Sequence, residues 1–260
     1  VTELTRQHGR MLRDKLKAQP ARSGRGRAAH GTVQRNFNIP KAAINHGIKE
    51  LDILMSNPFN AIDLGKAPVR AYDLRHPLPK PVIAAMYGEL SNNQVLLDIW
   101  TMIHHTGAQN AEILGLKTTD LYLADPIPHF EITPNDERSV KERARIRKVP
   151  LIGLALETAQ RLAASSRDGD YLFPKYGPTN KHTNFSNTCM TRLRKHTKDY
   201  RHSIYSLRHH MKDCMRQADV PLRVQLAIMG HSDGERVSEQ YGSAVTLEEM
   251  HKAMLSLTLI

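Results

Sequence analysis

The sequence predicts a mainly α-helical protein with a small antiparallel β-sheet, arranged as two domains. Three observations carry that prediction. Apolar residues recur at helical spacing through most of the chain, as in Leu96, Ile99, Trp100 and Ile103. Three short β-prone pieces, at 122–123, 130–132 and 149–151, lie near one another, separated by Pro, Asp and basic residues. A stretch holding Pro58, Pro68, Pro77, Pro79 and Pro81, with little periodicity, separates a helical N-terminal part from the rest. The boundaries that follow are a helical domain over 1–57, a linker over 58–80 and a larger domain over 81–260.

The elements follow in order. Residues 2–18 place Leu4, Met11, Leu12 and Leu16 on one side of an amphipathic helix, capped by Thr2. Residues 19–31 are rich in Pro, Gly, Ser and Arg and read as a loop, with Arg22, Arg25 and Arg27 placed to touch phosphates. Val33, Phe37, Ala43, Ile44, Ile48 and Leu51 mark a second helix. Pro40 should kink or split it, and Asn57-Pro58 should end it. Further helices are expected over 82–90, 93–105, 111–116, 154–164, 184–196, 205–217, 222–229 and 247–257. The chain opens at Val1 in what reads as mid-helix, which points to a piece of something longer.

Composition narrows the partner. Lys and Arg number 37 against 26 Asp and Glu among 260 residues, for a formal charge of +11. Such a balance favours a polyanion. Nucleic acid fits better than an anionic membrane, because no amphipathic Lys/Trp helix stands out. A solvated basic surface is the plainer alternative. Cys189 and Cys214 have neither a CxxC neighbour nor metal-ligand spacing, so they read as reduced, cytosolic and buried. No HExxH or Cys/His spacing accompanies the 14 histidines, so no metal is expected. No apolar run approaches the roughly 18 residues of a membrane span, and no signal peptide is visible.

The residues that point to chemistry lie near the C-terminus: Tyr205-Ser206-Leu207-Arg208, then Met229-Gly230-His231, then Tyr241-Gly242. Arg can clamp phosphate oxygens in a bidentate fork. His can donate to the same phosphate or handle a proton. Tyr can attack phosphorus and hold a strand covalently. Taken alone, Tyr241 reads as a packing residue. The segment 138–148 holds Arg138, Lys141, Arg143, Arg145, Arg147 and Lys148 against Glu142. Between two predicted strands, it should form a basic hairpin tip. It suits a DNA-backbone finger, or one Lys could deliver a proton to a leaving oxygen; spacing alone selects none. The helix over 184–196, with Arg192, Arg194 and Lys195, is either a DNA-facing element or a solvated basic face.

At this point the chain resembles the tyrosine recombinase (phage integrase) family along nearly all its length. The resemblance rests on Tyr205-Ser-Leu-Arg208-His-His, Met229-Gly230-His231-Ser and Tyr241. It rests also on Thr106-Gly107-Ala-Gln109-Asn-Ala-Glu112-Ile-Leu-Gly-Leu, on Val140-Lys141 with Arg147-Lys-Val149-Pro150-Leu151, and on Tyr171-Leu-Phe173-Pro174. The likeness implies a core-binding domain and a catalytic domain that clamp double-stranded DNA. Tyr241 would be the nucleophile, forming a 3′-phosphotyrosyl link and releasing a 5′-hydroxyl. Lys141 would protonate that leaving oxygen, Arg208 and His231 would hold the non-bridging oxygens, and Glu112 would buttress the first-box helix. The resemblance implies no cofactor, a homotetramer on paired DNA sites, and a cytoplasmic protein of bacterial or mobile-element origin. The terminal helix, through Leu247, Met250, Met254 and Leu257, would pack either on a neighbouring protomer or in cis.

Three departures stand out. Gln109 occupies the first-box position where the family has Arg, Tyr205 stands where it commonly has His, and the His231–Tyr241 interval is one residue longer than usual. A neutral amide in place of a charged fork should weaken transition-state stabilisation by about 3–4 kcal/mol, or roughly 10²–10³ in rate. Three readings of Gln109 stay open: a slow or compensated recombinase, a DNA-binding partner or regulator without chemistry, and a substitution introduced to trap a complex.

Overall fold

The first helix begins at Thr5, whose backbone N–H donates to His8 Nδ1 at 3.1 Å. That is α1 (Arg6–Ala18). The computed structural model describes residues 3–21, 26–66, 75–134, 145–231 and 244–259, so the expected cap at Thr2 lies outside the described residues. The chain divides into two compact units, Val1–Ala71 and Tyr72–Ile260.

In the first unit, α2 (His30–Glu50) runs through Pro40 without a break. Proline removes one backbone donor and crowds the preceding turn. Here Phe37 and Ile44, both buried, hold the helix on either side of it. The helix stops at Glu50, before the expected Asn57-Pro58, and Asp52 follows in the left-handed region at φ 48. Asn57 has a different task. Its Nδ2 donates to the Lys41 carbonyl at 2.9 Å and to Asn45 Oδ1 at 2.8 Å, and its Oδ1 accepts the Phe59 N–H at 2.8 Å. The chain is thereby folded back on α2, and Phe59 stacks on Phe37 with ring centroids 5.7 Å apart. Leu16, Val33, Phe37, Ile44 and Phe59 form the core, with Ile62 and Leu64 packed against it. The start of the 58–80 stretch therefore belongs to this unit's core. Prolines break its periodicity, but its apolar side chains are still buried.

The second unit comprises α3 (Lys80–Leu90), α4 (Gln94–Thr106), α5 (Asn110–Leu114), β1 (Leu121–Tyr122), β2 (His129–Ile132), β3 (Arg147–Pro150), α6 (Gly153–Ser165), α7 (His182–His196), α8 (Ser206–Gln217), α9 (Leu222–Met229) and α10 (Leu247–Leu255). The three strands form one antiparallel sheet in the order β1-β2-β3. Asn93 caps α4, its Oδ1 accepting the Leu96 N–H at 3.1 Å. Leu96, Ile99, Trp100, Met102 and Ile103 bury α4 in the centre of the core, and Leu78, from the far end of the expected linker, joins them. Met250 and Met254 of α10 are buried with Met211, Val224 and Ile228. Of the two placements open for that helix, its apolar face takes packing within its own unit.

Cys189 and Cys214 are buried free thiols, and burial pushes Cys189 up to about 12. No helix among the described residues is long and apolar enough to cross a membrane. His104 is buried at the end of α4, and His105 beside it is half-buried. The Tyr87 hydroxyl lies 2.9 Å from His104 Nδ1, and the His210 ring is 5.6 Å from that of His104. Among the described residues no group of His, Cys, Asp or Glu is arranged to hold a metal ion. Burial first, then the neighbouring His105 and His210, pushes His104 down to about 3, and burial pushes His105 down to about 4.

Both folded-state values lie below the ordinary histidine range. The unfolded chain therefore takes up protons that the folded chain refuses, and stability present above pH 6.5 drains away as pH falls toward 4. Each such histidine steepens the loss by up to about 1.4 kcal/mol per pH unit. Urea unfolding followed between pH 7 and 4 should show this slope, and His105→Gln should reduce it by up to one proton's worth. An unchanged slope in that variant contradicts the assignment.

Candidate active site

The site starts from strand parity. In the sheet register Phe130 faces Val149 and Ile132 faces Arg147, so Arg147 falls on the same face as three core residues. Lys148, one position on, points the other way and pairs with Glu131 at 3.3 Å. A buried guanidinium needs a carboxylate. Glu112 supplies it: Arg147 Nη1 donates to Glu112 Oε1 at 3.1 Å and Nη2 to Oε2 at 3.0 Å, with the two side chains only 6% and 9% exposed. Arg147 Nε also donates to the Ile228 carbonyl at 2.9 Å. Gly230 makes room for it, since a Cβ there would lie 2.5 Å from Arg147 Nη1. Burial alone would raise the Glu112 carboxyl. The Arg147 hydrogen bonds and charge, with the Gln109 N–H and Arg208 behind them, outweigh it and hold the group below its ordinary range.

Arg208 lies in the first turn of α8 and is 2% exposed. Its Nη1 donates to the Gly107 carbonyl at 2.6 Å, and its Nη2 donates to the Met229 carbonyl. Both acceptors sit at helix C-termini. Gly107 caps α4 at φ 64 and Gly230 caps α9 at φ 59. Glycine is required at both turns by the left-handed backbone. At 107, an added Cβ would also come within 2.7 Å of Met211. The negative ends of two helix dipoles thus hold one guanidinium, and among the described residues no carboxylate pairs with it. Arg208 Nε is buried and has no hydrogen-bond partner among the described residues. Burial, then the nearby Arg147 charge, lowers the Arg208 pKa.

His231 follows directly. Its Nε2 lies 3.0 Å from Arg208 Nη2. An Arg nitrogen can only donate, so Nε2 is the acceptor and the ring is neutral. Burial first, then the charge of Arg208, pushes His231 down to about 4. At neutral pH the ring is thus unprotonated, with its Nε2 lone pair engaged by Arg208. Tyr205 stands before α8, its ring edge-on to His209 at 5.3 Å, and its side chain favours the charged form of Arg208.

Gln109 opens α5, and its N–H donates to Glu112 Oε2 at 2.7 Å. Its side-chain Oε1 accepts from Arg145 Nη1 at 3.0 Å. The Arg145 carbonyl in turn accepts from Arg147 Nη1 at 3.1 Å. Arg145, Arg147 and Arg208 face the Glu112 carboxylate while His231 is neutral, so these groups carry a net positive charge. The arrangement is built to receive an anion rich in oxygen acceptors.

Gln109, Glu112, Arg208, His231 and Tyr205 belong to this neighbourhood. Tyr241 and Lys141 lie outside the described residues, as do Arg22, Arg25, Arg138 and Arg143. Arg27 is exposed in the first unit, where it forms an isolated bridge with Pro20. Arg192 is half-buried. Arg194 donates to the Asp199 carbonyl at 2.9 Å and the His202 carbonyl at 2.8 Å, closing the turn after α7. Lys195 pairs with Glu89 at 2.6 Å. Sequence reasoning missed Arg147 as the partner of Glu112 and the bond from Arg145 to Gln109. For Arg147, its parity with Val149 on β3 was the available signal; Arg145 lies before the strand.

In the larger unit, a three-stranded sheet and the ends of α4 and α9 surround the guanidinium groups of Arg147 and Arg208. No protein-family model matches the chain, and no curated protein sequence does. Solved structures do match. The Tn1549 transposon integrase in complex with transposon right end DNA superposes with a TM-score of 0.64 at 17% identity, over 98% of this chain and 86% of that one. A lambda integrase dimer bound to a COC′ core site gives 0.62 at 12% identity, over 94% and 84%. A lambda integrase tetramer bound to a Holliday junction gives 0.61 at 13%, over 92% and 64%. The chain has the fold of the tyrosine recombinases.

Removing one member of the Glu112–Arg147 pair leaves an uncompensated buried charge. Glu112→Ala should destabilise the protein by about 3–5 kcal/mol, read as a shift of the urea midpoint. A loss below 1 kcal/mol would mean the pair is solvated.

Proposed function

We propose that the protein is a site-specific DNA recombinase that cuts and rejoins double-stranded DNA through a 3′-phosphotyrosyl intermediate. The observation that carries this reading is the union of Arg208 and His231 at 3.0 Å, inside a net positive cluster on the tyrosine-recombinase fold. Arg208 holds non-bridging oxygens of the scissile phosphate. Tyr241 attacks phosphorus, a new O–P bond forms, and the bond to the 5′-oxygen breaks. Lys141 gives that oxygen its proton. His231 joins Arg208 on the non-bridging oxygens, and the proton that Tyr241 loses passes to water. Attack by the released 5′-hydroxyl reverses the steps on a new strand, so no cofactor is consumed. The integrase complexes with DNA support a double-stranded partner, and the lambda tetramer on a Holliday junction supports assembly as a homotetramer on paired sites.

One observation favours a second reading. Gln109 is neutral, so this chain can serve as a DNA-binding partner or regulator that lacks the chemistry. The two readings part in a trapping experiment. Labelled duplexes, nicked near a randomised core so that the cut strand diffuses away, are incubated with the protein and resolved on a denaturing gel. The recombinase reading predicts a covalent adduct that Tyr241→Phe abolishes and that Arg208→Gln lowers by about 10²-fold or more. Selective duplex binding without any adduct supports the regulator.

A further inference from the structure

Arg145 is the least explained charge in the site. Arg147 is neutralised by Glu112, and Arg208 is bonded to two carbonyls and a neutral ring. The Arg145 Nη1–H donates to the amide oxygen of Gln109 at 3.0 Å, and its Nε–H is buried without a partner. Among the described residues this half-buried guanidinium has one unpartnered buried donor and a neutral acceptor alone, an arrangement that a bound anion would complete.

The Gln109 amide is suited to aim such a group. Its oxygen accepts from the guanidinium, which turns its –NH₂ away and leaves that as a further donor. Gln109 is itself fixed, because its backbone N–H is held by Glu112. Arg145 is fixed from its other side, because its carbonyl accepts from Arg147. The same Glu112–Arg147 pair therefore positions both Gln109 and Arg145. Arg145 and Arg208 both bear on His231, whose pKa each of them lowers.

We propose that Arg145, oriented by Gln109, supplies the second guanidinium of the phosphate clamp, so that Arg145 and Arg208 together hold the phosphate that is cut. The inference rests on the recombinase reading above. A phosphodiester carries one negative charge and gains more as the nucleophile adds, so two cations facing it stabilise the transition state more than one. The charge absent at position 109 is delivered from β3's leading edge, one hydrogen bond away. The pair acts as a unit: an amide that orients and a fork that clamps.

The trapping experiment on nicked duplexes tests this with four variants. Arg145→Gln should slow Tyr241-dependent adduct formation by about 10²–10³, and Arg145→Lys should recover part of that loss. The swap Gln109→Arg with Arg145→Gln moves the charge across the bond and should exceed Arg145→Gln alone by at least tenfold. Gln109→Arg alone sets two guanidiniums against each other and should gain little. Duplexes with an uncharged methylphosphonate at the cut should show almost no penalty for Arg145→Gln, an outcome that a purely structural role does not give. Thermal unfolding of each variant identifies any that fail to fold. If Arg145→Gln stays within threefold of the parent while Tyr241→Phe still abolishes the adduct, the inference is wrong and the recombinase reading stands. If the parent forms no adduct, that reading fails. Inorganic phosphate, titrated calorimetrically, then decides the inference: a tenfold or greater weakening in Arg145→Gln upholds Arg145 as an anion clamp, and equal binding overturns it.

Discussion

The buried Glu112–Arg147 pair is the constraint on which the rest of the site depends. Strand parity puts Arg147 on the core face of β3, and a guanidinium there is tolerated only with a carboxylate opposite. Glu112, in the first turn of α5, meets it and also receives the Gln109 N–H. Arg147 reaches on to the Ile228 carbonyl and lies against Gly230. One ion pair therefore ties together the start of α5, the edge of the sheet and the end of α9. The Met229 carbonyl is held beside Arg208 by the same contacts. Loosening the pair would loosen the end of α9, which carries the Met229 carbonyl that Arg208 holds.

The site's charge follows a graded logic. Arg147 is fully compensated and serves as structure. Arg208 is bonded to helix-end carbonyls, which orient it without cancelling its charge. Arg145 is bonded to an amide, which aims it and compensates it least. The more a guanidinium is neutralised by the protein, the less it can give to a bound anion. His231 completes the pattern, since burial and the charge of Arg208 keep its ring neutral at physiological pH. A basic chain of +11 formal charge brings polyanions to its surface. On the recombinase reading proposed above, the graded cluster would hold one phosphate.

Much of this was legible in the residues. The three strands lie within a residue or two of their β-prone pieces, because alternation and flanking turn residues define short strands well. Most helices begin and end close to their periodic stretches. Of the kink or split expected at Pro40, the split does not occur, because proline marks only a local penalty and packing by Phe37, Ile44 and Phe59 holds the helix together. The basic run at 138–148 was read as a set of equivalent charges. Its end is not: strand parity sorts Arg147 inward to Glu112 and Lys148 outward to Glu131. The two readings of Arg194, a DNA-facing residue or a solvated basic one, stayed open because sequence cannot show three carbonyls gathered at the next turn. The cis packing of α10 was undecidable from an amphipathic stripe, which is the same whether the covering surface belongs to the same chain or another.

The account's central claim is a covalent one: the anion drawn into the Arg208–His231 cluster is attacked by Tyr241. Tyr205 is a rival within the cluster itself, half-exposed and electrostatically linked to Arg208. Peptide mapping of the trapped protein–DNA adduct by mass spectrometry separates them. The account predicts a phosphotyrosyl nucleotide on the peptide containing Tyr241 and on no other. An adduct on Tyr205 or another tyrosine, or selective DNA binding with no adduct at all, contradicts it.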